Sequence, residues 1–165
     1  PPAGGSELSG NPSLESGQQG WTGTYNPNSV LARVAPAGGS FNGGWALRVS
    51  GTASGAAGVA NASPYWVPGP PGRATTAGQT YTGGAEVQAS ATGEKVSLRV
   101  REMASGGAVV GSRVVTVTLA DTGWHQITAA YTAVQSGDSL RYALFSPGLA
   151  TGKSFLADCL SLQTS

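Results

Sequence analysis

A chain of 165 residues is long enough for one domain with a sizeable core and too short for two full ones. With 26 Gly, 10 Pro and only 10 % charged residues it is turn-rich and weakly charged, and its Val, Thr, Ser and aromatic content suits strands better than helices. A net charge of +1, with Lys95 and Lys153 as the only lysines, gives no polybasic surface for nucleic acid or an anionic membrane, and no apolar run approaches the roughly 20 residues that cross a bilayer.

Residues 1–10, opening Pro1-Pro2-Ala3-Gly4-Gly5-Ser6, have the composition of a linker, so one folded module is expected over 11–165. Residues 17–23 read as a loop with Trp21 at its exit, and 30–35 as a short strand before the Gly-rich loop 36–44. The next strand, 45–50, is expected to turn Leu47 and Val49 inward and Arg48 outward, and 58–60 forms another. Residues 63–73 carry Tyr65, Trp66 and four prolines, the composition of a stiff loop. The clearest strands are 80–90 and 95–102. Their short connection predicts an antiparallel hairpin, with Tyr81, Ala85, Val87, Val96, Leu98 and Val100 on one face and Glu86, Gln88, Arg99 and Arg101 on the other. Residues 108–119, broken near Gly111 and Ser112, then 124–133, 139–145 and the closing 154–162 complete about ten short segments, the pattern of an all-β, two-sheet antiparallel sandwich of jelly-roll type.

In the closing strand Leu156, Leu160 and Leu162 alternate, and Asp158 falls on their parity. A carboxylate there needs a cation, backbone N–H groups, or a bend that returns it to water. Glu15 is the other acid placed to help: if the two terminal strands lie side by side, the pair can share one hard cation. Cys159, the only cysteine, excludes an internal disulfide and reads as a small, semi-buried hydrophobe.

Gly137-Asp138-Ser139-Leu140 spells the nucleophile motif of one esterase class, but it lies near the end of the chain, and the single histidine, His125, lies upstream in a strand. A serine nucleophile needs a base within reach, so a turn is the better reading. Among eight acids only Glu86 and Glu102 are expected near an exposed sheet face, where Arg99 and Arg101 favour the ionised form over a general acid. No catalytic residue is therefore assigned, and the chain is expected not to be an enzyme.

Binding remains. A weakly charged face bearing Glu86, Gln88, Arg99 and Arg101, with aromatics on adjoining loops, suits a polyhydroxylated ligand. Trp66, with Tyr65, is the leading ligand contact, and Trp45 and Tyr25 beside Gly- and Asn-rich loops follow, whereas Trp21 and Trp124 read as core or edge packing. The bland alternative is an exposed ladder of the two arginines with Glu86 and Glu102. At the level of the whole chain, the competing reading is a structural or protein-interaction sandwich that binds no glycan.

Residues 11–17 leading to Gly20-Trp21, then Trp45-Ala46-Leu47-Arg48-Val49, Gly78-Gln79-Thr80-Tyr81-Thr82, Gly123-Trp124-His125-Gln126-Ile127 and residues 155–162 together resemble the family 4, 9, 16 and 22 group of carbohydrate-binding modules, over nearly the whole chain. The Gly/Ala/Thr-rich style is similar to secreted actinobacterial examples. The resemblance implies a galactose-binding-like jelly roll appended to an extracellular polysaccharide-active enzyme, with no catalysis of its own and a β-glucan, xylan or mannan as partner. It implies a structural calcium ion held by Glu15 and Asp158, completed by backbone carbonyls near Asn42. Many relatives carry an Asp where this chain has Cys159. The glycan site it implies maps onto Gln88, Arg99 and Arg101, with Trp66 as the platform.

Overall fold

The computed structural model describes residues 13–18, 20–22, 27–61 and 74–164, and every regular element among them is a strand. These are β1 (Trp21–Thr22), β2 (Ser29–Val34), β3 (Ala46–Gly51), β4 (Gly55–Asn61), β5 (Thr80–Ala89), β6 (Lys95–Met103), β7 (Val109–Thr118), β8 (Trp124–Thr132), β9 (Ser139–Leu149) and β10 (Ser154–Thr164). They form two antiparallel five-stranded sheets, in the orders β2-β3-β10-β5-β8 and β1-β4-β9-β6-β7. The two-sheet sandwich read from the sequence is the fold.

Alternation builds the core between the sheets. Leu47, Val49, Ala85, Val87, Ile127, Phe155, Leu160 and Leu162 face inward from the first sheet and meet Val59, Val96, Leu98, Val100, Tyr142 and Leu144 of the second, all of them buried. Each Val, Leu, Ile or Phe side chain among them contributes about 1.5–3 kcal/mol on leaving water. Trp21 closes one end of this layer edge-on against Tyr142, with ring centroids 5.3 Å apart, in the core role its position suggested.

Three expectations need correction. β5 and β6 are not a hairpin: β5 pairs with β10 and β8, β6 with β7 and β9, and residues 90–94 cross from one sheet to the other. The six apolar residues assigned to one face do meet, but across the core from opposite sheets. Consequently Glu86 and Gln88 lie on one outer surface of the sandwich and Arg99 and Arg101 on the other.

The parity of the closing strand also breaks. Asp158 pairs with Glu86 and Ser161 with Gly84, so β10 holds one extra residue there, and Cys159 takes a positive φ of 50°. The bulge turns Leu160 and Leu162 inward and leaves Leu156 and Asp158 on the outer face. Finally, no strand carries Glu15: residues 13–18 form turns, with Leu14 buried at a φ of 60°. The break expected in 108–119 is absorbed as a register shift opposite Glu102 and Met103, and β7 continues through it.

Candidate functional site

On the outer face of the first sheet, Asp158 is 0 % exposed because loop 36–44 folds over it. The Asn42 N–H donates to Asp158 Oδ2 at 2.8 Å and the Cys159 N–H to Oδ1 at 2.7 Å. Glu15 Oε1 accepts from the Gly44 and Trp45 N–H groups at 3.1 and 3.0 Å. Any side chain at Gly43, where φ is 75°, would collide with this carboxylate. The two acids therefore do meet, through the loop rather than through paired strands. Burial, and then the nearby charge of Glu15, push the Asp158 carboxyl above its ordinary value despite the N–H groups.

Ser40 Oγ lies 3.3 Å from the Asn42 carbonyl oxygen and 2.8 Å from that of Gly43, and Asn42 meets Asp158 through its N–H. Among the described residues no group of three or more His, Cys, Asp or Glu side chains is arranged to hold a metal. Two carboxylates held against one loop are the donor type that a hard cation takes. Burial raises the Cys159 thiol to about 11, which keeps it protonated at neutral pH.

Farther along this face, Arg48, Leu156, Gln88 and Trp124 form one row across β3, β10, β5 and β8. Gln88 Nε2 donates to the Thr122 carbonyl at 2.8 Å, and Arg48, Gln88 and Leu156 line an open cleft of about 410 Å³ against residues 34–37. Half-buried Trp124 packs edge-on against Phe41, which is 51 % exposed. Glu86 is buried beside Asp158; burial raises its carboxyl, and Gln126 hydrogen-bonds it. It offers little to a ligand. Trp45 is half-buried, with the Arg33 guanidinium 3.7 Å from its ring centre, so one face of that platform is taken by the chain itself. Tyr25, Tyr65 and Trp66 lie outside the described residues.

The outer face of the second sheet differs in charge. Arg101 stands directly opposite Arg141 across β6 and β9, and Arg99, two residues along, stands opposite Ala143. The Arg99 guanidinium lies 5.8 Å from the Phe145 ring centre, and exposed Val114 of β7 pairs with Arg99 from the other side. Partial desolvation, and then the Arg101 charge, lower the Arg141 guanidinium below its ordinary value. Arg141 and Phe145 escaped the sequence analysis, although inward Leu140, Tyr142 and Leu144 place them outward by alternation.

Glu102 also corrects an expectation. It forms no surface ladder; it is 0 % exposed between the sheets, accepting from Tyr131 Oη at 2.6 Å and from the Val134 and Gln135 N–H groups at 2.9 and 3.0 Å. The esterase constellation is not assembled. Ser139 Oγ donates to the Met103 carbonyl at 3.3 Å, while His125, in the other sheet, is paired with Asp121 at 2.8 Å.

No family model matches the sequence, and no curated protein matches it. Solved structures do resemble the fold. A family 16 carbohydrate-binding module is 21 % identical over 94 % of this chain and 98 % of its own, with a TM-score of 0.65. The CBM22-1 xylan-binding domain of Paenibacillus barcinonensis Xyn10C is 14 % identical over 99 % and 97 %, with a TM-score of 0.68. A cyclase from Fischerella sp. TAU is 12 % identical over 98 % of both chains, with a TM-score of 0.72, so one sandwich architecture serves binding modules and an enzyme alike.

Proposed function

We propose that the chain is a non-catalytic polysaccharide-binding module whose glycan lies on the outer face of β6 and β9, across Arg99, Arg101, Arg141 and Phe145. The observation that carries this reading is the contrast between the two outer faces: one holds its acids under loop 36–44, whereas the other carries three arginines, of which Arg141 is exposed, beside an aromatic ring. Guanidinium groups satisfy hydroxyl oxygens, and a ring covers the apolar face of a sugar. Tyr25, Tyr65 and Trp66 keep their proposed role as aromatic platforms, and Glu86, Gln88 and Trp45 leave the site. The fold shared with a module named as xylan-binding supports a glycan ligand. In this reading the module is secreted and is covalently linked to an enzyme acting on the same polymer, with calcium between Glu15 and Asp158.

Affinity is modest, since hydroxyls exchange water for protein partners at little net gain. The test is retardation in native gels cast with a panel of soluble xylans, mannans, β-glucans and uronate-bearing polymers. Retardation by at least one of them, lost in Arg101→Ala and kept in Gln88→Ala, is expected. Migration unchanged by every polymer would leave the structural-domain reading in its place.

A further inference from the structure

The edge strands of the two sheets are not alike. β1 is two residues long and β2 six, and β8 alternates exposed and buried residues strictly from Gln126 onward. β7 runs for ten residues and is exposed at both parities, with Ser112, Arg113 and Val114 open in succession. It pairs with β6 on one side, and among the described residues no strand lies on the other.

The backbone of that open side can be read from the two ends of the ladder. The Leu119 N–H donates to the Glu94 carbonyl at 2.8 Å, and the Ala104 N–H to the Ala108 carbonyl at 2.9 Å. Alternation between these ends turns the N–H and C=O groups of Gly111, Arg113, Val115 and Val117 toward β6, and those of Ser112, Val114, Thr116 and Thr118 out of the sheet edge. Proteins usually protect such an edge with proline, lysine or a bulge. Residues 112–118 hold no proline and no lysine, and the one register shift lies before them, between Val109 and Gly111. Val114, Val115, Thr116, Val117 and Thr118 are instead strong strand formers.

We propose that this edge pairs with the same edge of a second copy of the chain, β7 antiparallel to β7 about a twofold axis at Val114, so that two five-stranded sheets continue into one. In that register the strand is its own complement. Val114, 46 % exposed, meets its copy, and Ser112 meets Thr116, each with backbone groups turned to the edge. Arg113, the only charge on the strand, falls opposite Val115. A register centred on Arg113 would set like charges directly opposite each other, which destabilises a pair. This symmetry selects a second copy over a foreign strand, which would not require it. The axis stands normal to the sheet, so the outer faces of both copies lie on one side. On the glycan-binding reading, two copies of the β6 and β9 surface then face one polymer, and avidity can exceed single-site affinity by about 10²–10⁴-fold. The pairing itself does not depend on that reading.

Sedimentation equilibrium of the whole chain from about 1 μM to about 1 mM tests it. The parent should pass from monomer to dimer over this range. Val114→Lys and Val114→Glu each place like charges at the axis, so each alone should stay monomeric while keeping the parent's circular dichroism spectrum, and an equimolar mixture of the two should recover the dimer. A parent that stays monomeric throughout would overturn the proposal. A dimer kept by both single variants would also overturn it, because the contact would then lie on another surface. Failure of the mixture to recover a dimer that both variants had lost would overturn the register at Val114.

Discussion

Glu102 shows how a single buried charge is kept in a weakly charged protein. It extends the inward alternation of Val96, Leu98 and Val100, so strand parity carries an acid into the core at the sandwich end. Burial alone opposes its ionisation, but hydrogen bonds from Tyr131 and the Val134 and Gln135 N–H groups outweigh that and hold the carboxyl below its ordinary value of 4.5. The stability this contributes is complete above about pH 4.5 and is lost as pH falls through the depressed value. Glu102→Gln should therefore cost about 2–3 kcal/mol at pH 7 in urea unfolding, and the gap between variant and parent should close as the pH is lowered below 4. A gap constant with pH would show that the ionised form is not what matters. Gly111 belongs to the same device. A Cβ there would strike the Tyr131 hydroxyl, so Gly111→Ala should produce part of the same loss without touching the acid. The inward acid was readable from parity, but pairing it with the arginines assumed a sheet partner that the sequence does not specify.

At the scale of the element, β10 explains both what alternation reveals and what it hides. The strands were legible because apolar residues recur at every second position, as with Leu47 and Val49 in β3 and Ile127, Ala129 and Tyr131 in β8. The bulge was not, because one inserted residue changes no composition and only inverts the parity that follows it. Which strand pairs with which was equally hidden: a five-residue connection such as 90–94 closes a hairpin or crosses between sheets with the same turn residues. The bulge places Cys159 in the left-handed region, which costs a non-glycine residue about 1 kcal/mol, and more when the side chain is β-branched. Cys159→Val should thus destabilise the protein by about 1–2 kcal/mol, whereas Cys159→Gly should be near neutral, relieved strain offsetting lost packing. The midpoints of chemical unfolding measure this, and a Val variant as stable as the parent would mean that the strand can close without the bulge.

For the whole molecule, the question is what ties the chain's first described turn to its last strand. Arg33 donates to the carbonyls of Leu14 and Glu15 at 2.6 Å each, and loop 36–44 bridges Glu15 to Asp158. A cation bound at those acids would act on this clasp, and saturation at a hundred times its dissociation constant adds about 2.7 kcal/mol to the folded state. For a domain of this size that corresponds to a rise in Tm of roughly 5–10 °C. Calcium should therefore raise the melting temperature over that in chelator. Asp158→Ala should abolish the difference, and so should Glu15→Gln, whose exposed side chain can change without emptying the core. Identical curves with calcium and chelator would remove the cation from the clasp. The acids and the arginines sit on opposite outer surfaces, separated by two sheets about 10 Å apart. Chelation well below the melting temperature should consequently leave glycan retardation unchanged, because the sites communicate only through unfolding. Retardation that fell with chelation while the protein stayed folded would instead put the polymer on the acid-bearing face, along Arg48, Leu156 and Gln88.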